Sequence, residues 1–167
     1  MPLKQRIAPC LWFDSRAEQA AAFYISVFKN SRIVNVSRYT EAGRETHHRP
    51  AGSVMTVTFE LDGQPFTALN GGPVFKFNEA ISLQVHCDNQ KEIDYYWNAL
   101  SEGGDPNAQQ CGWLKDQFGL SWQVVPGLLD DLLEDHNSDT AQRAMEAMLR
   151  MKKIDIAELE RAVAVSK

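Results

Sequence analysis

No stretch of this chain approaches the ~18 consecutive apolar residues that a membrane-spanning helix needs. The N-terminal MPLKQRIAPC lacks the apolar run of a secretory signal, so the expected compartment is cytoplasmic and no membrane partner is expected. Positive charge is also short. Seventeen Lys and Arg stand against 22 Asp and Glu, a formal net charge of -5, and the basic residues are dispersed. A standing nucleic-acid partner needs a clustered basic surface, and that class is set aside. The three cysteines, Cys10, Cys87 and Cys111, are odd in number and form no C-x-x-C pair. They read as buried thiols in a reducing compartment. A nucleophilic Cys111 stays open, although its sequence neighbours offer no clear general base. There is no G-x-G-x-G turn of the kind that cradles a nucleotide after a first parallel strand.

What is present is enough for one domain of 167 residues, 44% of them apolar. Arg6–Phe13 reads as a strand, and the next stretch, 15–30, as a helix. Ser15 with Glu18 makes a candidate capping box, and Ala22, Phe23, Ile25, Val27 and Phe28 form an apolar face. Arg32–Tyr39 alternates as a second strand, and the polar stretch 40–52 reads as an exposed loop. Ser53–Leu61 and Gln64–Asn70 flank Asp62-Gly63, a strong hairpin signal. The first module is therefore β-α-β-β-β, at about residues 1–72.

After the linker GGPVFKFNE comes a strand, Ala80–Cys87, with Ile81, Leu83, Val85 and Cys87 on one face. A helix follows, with Ile93, Tyr96, Trp97 and Leu100 on one side and Gly103 placed to end it. QQCGWLKDQFGLSWQVVP supplies further strands around a turn at Gln117–Gly119, giving a second module at about 78–127. Shifting the chain by 74 positions sets Leu11 on Val85, Asp14 on Asp88, Glu18 on Glu92 and Phe23 on Trp97, a weak internal repeat. From residue 128 to 167 the pattern is helical: LLDDLLED, then SDTAQRAMEAMLRMKK with Ser138 or Asp139 as cap, then IDIAELERAVA. The fold class expected is α+β, two βαβββ modules with a helical tail, as a single domain.

The segments FELDGQPF, NGGPVFKFNEAIS, CGWLKDQFGLSWQVVP and AMLRMKKIDIAELERA resemble the PhnB-like branch of the vicinal oxygen chelate superfamily, often labelled 3-demethylubiquinone-9 3-methyltransferase. That resemblance implies paired modules whose strands curl into a cup around a small-molecule pocket, usually in a homodimer. In metal-dependent superfamily members, His, Gln or Glu from the first and last strands hold a divalent ion. The corresponding slots here are Ala8 (or Ile7), Asn70, Ser82 (or Ile81) and Gln123, a set too poor in donors for a transition metal. No metal and no cofactor are expected.

His47 and His48 are the rival ligands, but neighbours on an extended segment point to opposite sides, and a solvated loop is the expectation. His136, beside Glu134 and Asp135, reads as surface electrostatics. Ser82, Gln84 and His86 share the strand face opposite Leu83, Val85 and Cys87, and face either the cup or solvent. Trp12 and Cys10 share the matching face of the first strand. Phe75, Phe77, Trp113, Trp122 and Gln123 line a pocket or are plain core. Lys115 meets an anionic substrate or pairs with Asp116. The candidate ligand-binding set is Trp12, Asn70, Phe75, Phe77, Gln84, His86, Trp113 and Gln123, with no catalytic residue assigned. The function expected is metal-free binding of a small amphipathic or aromatic molecule. The alternatives are an enzyme of the superfamily, metal-dependent lyase, dioxygenase or methyltransferase, and a purely structural role for the dimer.

Overall fold

The computed structural model describes residues 5–133 and 139–164. The chain divides into two compact units, Met1–Phe77 and Asn78–Lys167, the break falling inside the linker. The architecture is α+β, with one four-stranded and one three-stranded sheet.

In the first unit, β1 (Cys10–Phe13), α1 (Ala17–Val27), β2 (Arg32–Arg38), β3 (Val54–Leu61) and β4 (Gln64–Asn70) follow in order, with one short helical turn, α2 (Arg44–His47), before β3. The sheet order is β1-β4-β3-β2, and β1 runs parallel to β4. Asp62 and Gly63 both take positive φ, 45° and 79°, as a two-residue hairpin turn of type I′ requires. Period-two alternation then puts Leu11, Phe13, Val57, Phe59, Leu61, Phe66 and Ala68 on one face, where they are buried with Ala17, Ala20, Ala21, Tyr24 and Val27 of α1. Phe59 stacks between Tyr24 and Phe66, with centroids 6.3 and 5.5 Å away.

Three details of this unit differ from the sequence reading. The first strand is only four residues long. The buried stripe of α1 runs through the alanines and Tyr24, while Ala22 is exposed, because the alanines let the helix lie close on the sheet. Ser15 makes no cap: the residue before the helix is Arg16, without a side-chain capping bond. The helix start is held from 53 residues away, Ala17 N donating to Asn70 Oδ1 at 2.8 Å.

The second unit holds β5 (Ser82–Cys87), α3 (Gln90–Ser101), a 3-10 turn (Pro106–Ala108), β6 (Trp113–Lys115) and β7 (Ser121–Pro126), with strand order β5-β7-β6. Again the first and last strands are parallel. Asn89 caps α3 by accepting from Glu92 N, while Glu92 accepts in return from Asp88 N. Val85, Cys87, Leu114, Trp122 and Val124 are buried with Ile93, Trp97 and Leu100. The 74-residue offset carries α1 onto residues 91–101, and α3 spans those positions, starting one residue earlier.

Where the first module has β2, the second keeps a single bridge, Gln110 with Trp113. The two are joined by Cys111 (φ 52°) and Gly112 (φ 82°), another turn with both residues left-handed. The N–H groups of this turn donate to Met151 O at 2.9 Å and Lys152 O at 2.8 Å. Those carbonyls belong to the tail, α4 (Gly127–Leu133), α5 (Asp139–Leu149) and α6 (Ile156–Ala164). Gln90 of α3 fixes the same stretch, Nε2 donating to Ile154 O at 3.1 Å and Oε1 accepting from Ile156 N at 2.9 Å. The tail thus supplies backbone partners at an edge where the sheet has lost a strand.

Candidate functional site

The polar face of the second sheet is set by register. Gln84 of β5 stands opposite Gln123 in β7, and Gln123 stands opposite Trp113 in β6. Partners across a ladder point the same way, so these three side chains form one row across the strands, spaced by about 4.8 Å. Ser82, Ser121 and Lys115 form the neighbouring row, and His86 with Val125 begins the next. The opposite face is the one packed against α3; on this face Gln84 is exposed, Trp113 and Gln123 are half-buried, and Ser121 and Val125 are buried.

Among the described residues, the Gln84 side chain and the Trp113 indole have no hydrogen-bond partner. Gln123 Nε2 donates to Ser82 Oγ at 2.7 Å, which leaves the Gln123 carbonyl and the Ser82 hydroxyl proton to be used. His86 Nδ1 lies 3.8 Å from Asp130 Oδ2, too far for a hydrogen bond but close enough for an ion pair once the ring is protonated. Lys115 is paired with Glu79, not with Asp116. The Lys115 hydrogen bond holds the Glu79 carboxyl below its ordinary range. Beside Trp113 opens a recess of about 340 Å³ lined by Asn107, Ala108, Gln110 and Cys111.

Four of the eight sequence candidates, Gln84, His86, Trp113 and Gln123, therefore share one surface. The remaining four lie in the first unit and do not form one site. Trp12 and Phe75 meet edge to face at 4.9 Å, and Trp12 Nε1 donates to Gly72 O at 2.8 Å. A Cβ on Gly71 would come within 2.3 Å of the Trp12 ring, so the indole is laid directly on bare backbone. Phe77 packs instead on Phe13, 5.2 Å away on the core side. Asn70 is buried, and both ends of its amide are spent, Oδ1 on Ala17 N and Nδ2 on Val54 O at 3.1 Å. Its position as a donor is that of a structural clamp.

Trp122, offered as a pocket lining, is 2% exposed on the helix side of the sheet, where its Nε1 donates to Asp116 Oδ2 at 2.8 Å. His47 is part of a helical turn and not of an extended segment: it lies 4.5 Å from the Tyr39 ring and accepts from Arg49 N at Nδ1. Of the three thiols expected to be buried only Cys87 is; Cys10 is exposed and Cys111 half-buried, because β1 is short and Cys111 sits in a turn. Loss of water around the sulfur still raises all three, Cys87 to about 11, which works against nucleophilic use of any of them. His136, with Glu134, Asp135 and the Ser138 cap, lies outside the described residues.

The superfamily metal slots do not fit an ion. Ala8 is exposed and has no donor, Ser82 accepts from Gln123, and the Asn70 amide is engaged at both ends. Among the described residues, no three His, Cys, Asp or Glu side chains converge to hold one. The sequence missed two elements of the site, Gln110 and Asn107. The left-handed turn at Cys111-Gly112 brings Gln110 to the edge of the sheet, and no local periodicity marks it.

Over residues 5–125 the sequence matches the family described as 3-demethylubiquinone-9 3-methyltransferase. The chain belongs to this family. A solved PhnB protein from Bacillus cereus is 36% identical, with a TM-score of 0.62 over 74% of this chain and 100% of the other. A protein from Pseudomonas aeruginosa is 20% identical over 74% of this chain and 98% of its own, with a TM-score of 0.55. The fosfomycin resistance protein FosX from Listeria monocytogenes, solved with Mn(II) and sulfate, shares the fold at 13% identity, with a TM-score of 0.54 over 81% of this chain and 99% of its own. No protein among the curated ones matches at a significant level. This member of the PhnB-like family thus has the glyoxalase/bleomycin resistance fold that its strand order displays. Among its described residues, no helix is long and apolar enough to cross a membrane.

Proposed function

We propose that this PhnB-like protein binds a small planar amphipathic molecule on the polar face of its second sheet, without a catalytic metal and as a homodimer in the cytosol. The observation that carries the reading is the row Gln84, Gln123 and Trp113, which sets an indole beside two amides with unused hydrogen-bonding capacity. The spent amide of Asn70 supports the metal-free part, and the three free thiols suit a reducing compartment. The dimer is supported by the edge strand β2, which exposes Ile33 at 38%, Val34 at 50% and Val36 at 41%.

Methyl transfer, the activity in the family's description, finds little support in the glycines after β4. Gly71 is bare to admit the Trp12 ring, and Gly72 takes a φ of 101° beside Arg49, roles in packing and chain turning that need no cofactor. The test is a thermal-shift screen of planar aromatic and quinone-like compounds, with metal analysis of protein purified without chelator and light scattering on the same sample. Stabilisation by such compounds, lost in Trp113→Ala, is expected. A stoichiometric transition metal, or a monomer only, would overturn the corresponding part.

A further inference from the structure

The surface around Trp113 carries a consistent electrostatic character. Its neutral polar groups are the carboxamides of Gln84 and Gln123 on the sheet and of Asn107 and Gln110 at the recess, with the hydroxyls of Ser82 and Ser121 in the neighbouring row. Each carboxamide offers two N–H donors and a carbonyl with two lone pairs, and none carries charge. The ammonium at this face is met by a carboxylate from a neighbouring element. Lys115 is bound to Glu79 of the segment before β5, and His86 faces Asp130 of α4. An anion approaching Lys115 would have to displace Glu79 or share the ammonium with it, and would be repelled by the carboxylate it left nearby.

On the strength of the binding reading above, we infer that the ligand of this site is an uncharged planar ring bearing an amide, lactam or quinone-type carbonyl edge, stacked on Trp113 and held by Gln84 and Gln123. Anionic ligands, carboxylates and phosphonates among them, are disfavoured here by the closed Lys115–Glu79 pair. The relation to Gln123 fixes the contact further. One N–H of its Nε2 is committed to Ser82, which holds the amide with its carbonyl free to accept, while the unbonded Gln84 amide donates to a ligand carbonyl. Together they match an edge that presents one donor and one acceptor side by side. The recess that Trp113 lines with Asn107 and Gln110 gives room for a substituent on the ring.

Two isosteric probes separate charge from shape: 2-naphthamide and 2-naphthoate. Titration is followed at the Trp113 indole N–H cross-peak, assigned by Trp113→Phe among the four tryptophans. Naphthamide is expected to shift that peak with at least ten-fold higher affinity than naphthoate. Gln84→Leu and Gln123→Leu should each bring the two probes to within about two-fold of one another, and Gln84 is exposed, so that variant does not disturb the core. Glu79→Gln should improve naphthoate several-fold with naphthamide unchanged.

If naphthoate binds at Trp113 as well as or better than the amide, the site still binds small molecules but the uncharged class is wrong. If both glutamine variants leave naphthamide affinity intact, the proposed contacts are wrong. If neither probe, nor any compound of the planar screen, moves the Trp113 resonance, the binding reading falls and takes this inference with it.

Discussion

The first module is tied together by a neutral side chain, Asn70, which joins the start of α1 to the start of β3. The second module instead hangs its β6–β7 turn on a carboxylate, Asp116, which is 3% exposed. Asp116 Oδ1 accepts from Phe118 N at 2.8 Å and Leu120 N at 3.0 Å, and Oδ2 accepts from the Trp122 indole. The difference follows from loop length. Module one turns from β3 to β4 in two residues, and its left-handed Asp62-Gly63 closes the hairpin with one exposed side-chain bond, Asp62 N donating to Ser31 Oγ at 3.1 Å. Module two takes a longer path between the matching strands, and a longer path needs an interior acceptor for its N–H groups. The long connection in module one lies before β3 instead, and there Tyr39 and Arg49 hold it, through Tyr39 OH to Asn70 O and Arg49 Nη2 to Asp14 O.

The contrast makes ordered predictions. Asp116→Ala should destabilise most, by about 4 kcal/mol, because it removes the acceptor of three hydrogen bonds, two of them from buried donors. Denaturant unfolding measures it. Asn70→Ala should cost about 2–3 kcal/mol, since one N–H and one carbonyl are left without a partner. An equal loss in the two variants would break the contrast between charged and neutral anchors. Gly112→Ala follows at about 2 kcal/mol. Its φ of 82° and the Val124 carbonyl, 2.9 Å from the added Cβ, both oppose a side chain. Gln90→Ala should cost about 1 kcal/mol and raise hydrogen exchange at Ile156 N–H, showing whether the tail is held by α3 or merely rests on it.

The smallest effect is a pH dependence. Hydrogen bonds from Lys153, at 2.5 Å, and then from Gln90 hold the Asp94 carboxyl below its ordinary range. The pair's contribution is therefore complete above the unfolded aspartate value near ~3.9 and is lost as pH falls through the lowered folded value. The groups are near solvent, so a few tenths of a kcal/mol is expected, read as the difference between wild type and Lys153→Met at pH 6 and below pH 3.

The sequence pattern was informative wherever structure is made by neighbours. Asp62-Gly63 predicts its turn because φ > 0 is a property of those two residues, and alternation through Leu83, Val85 and Cys87 predicts that Gln84 and His86 face the other way. It failed where a distant partner decides. Ser15 and Glu18 look like a cap, but the acceptor at the start of α1 comes from β4. Trp122 looks like a pocket wall until Asp116 is seen to take its N–H. Gln110 sits in a polar stretch with no apolar period, so the remnant of a strand that it represents had no pattern to read. For the candidate site, residue types were legible and their grouping only half so. The four residues of the second unit converge because strand register enforces it, while those of the first were chosen by chemistry alone, and Asn70 and Phe77 are consumed by packing.

The docking of the tail has a consequence for how this chain is cut. A fragment ending at Pro126 would keep every strand and α3, yet it would leave the amide protons of Cys111 and Gly112 and the carboxamide of Gln90 facing water where Met151, Lys152, Ile154 and Ile156 had been. A piece that keeps these partners of the second sheet therefore has to reach at least Ile156, and an expression design that stops at Pro126 is expected to be less stable.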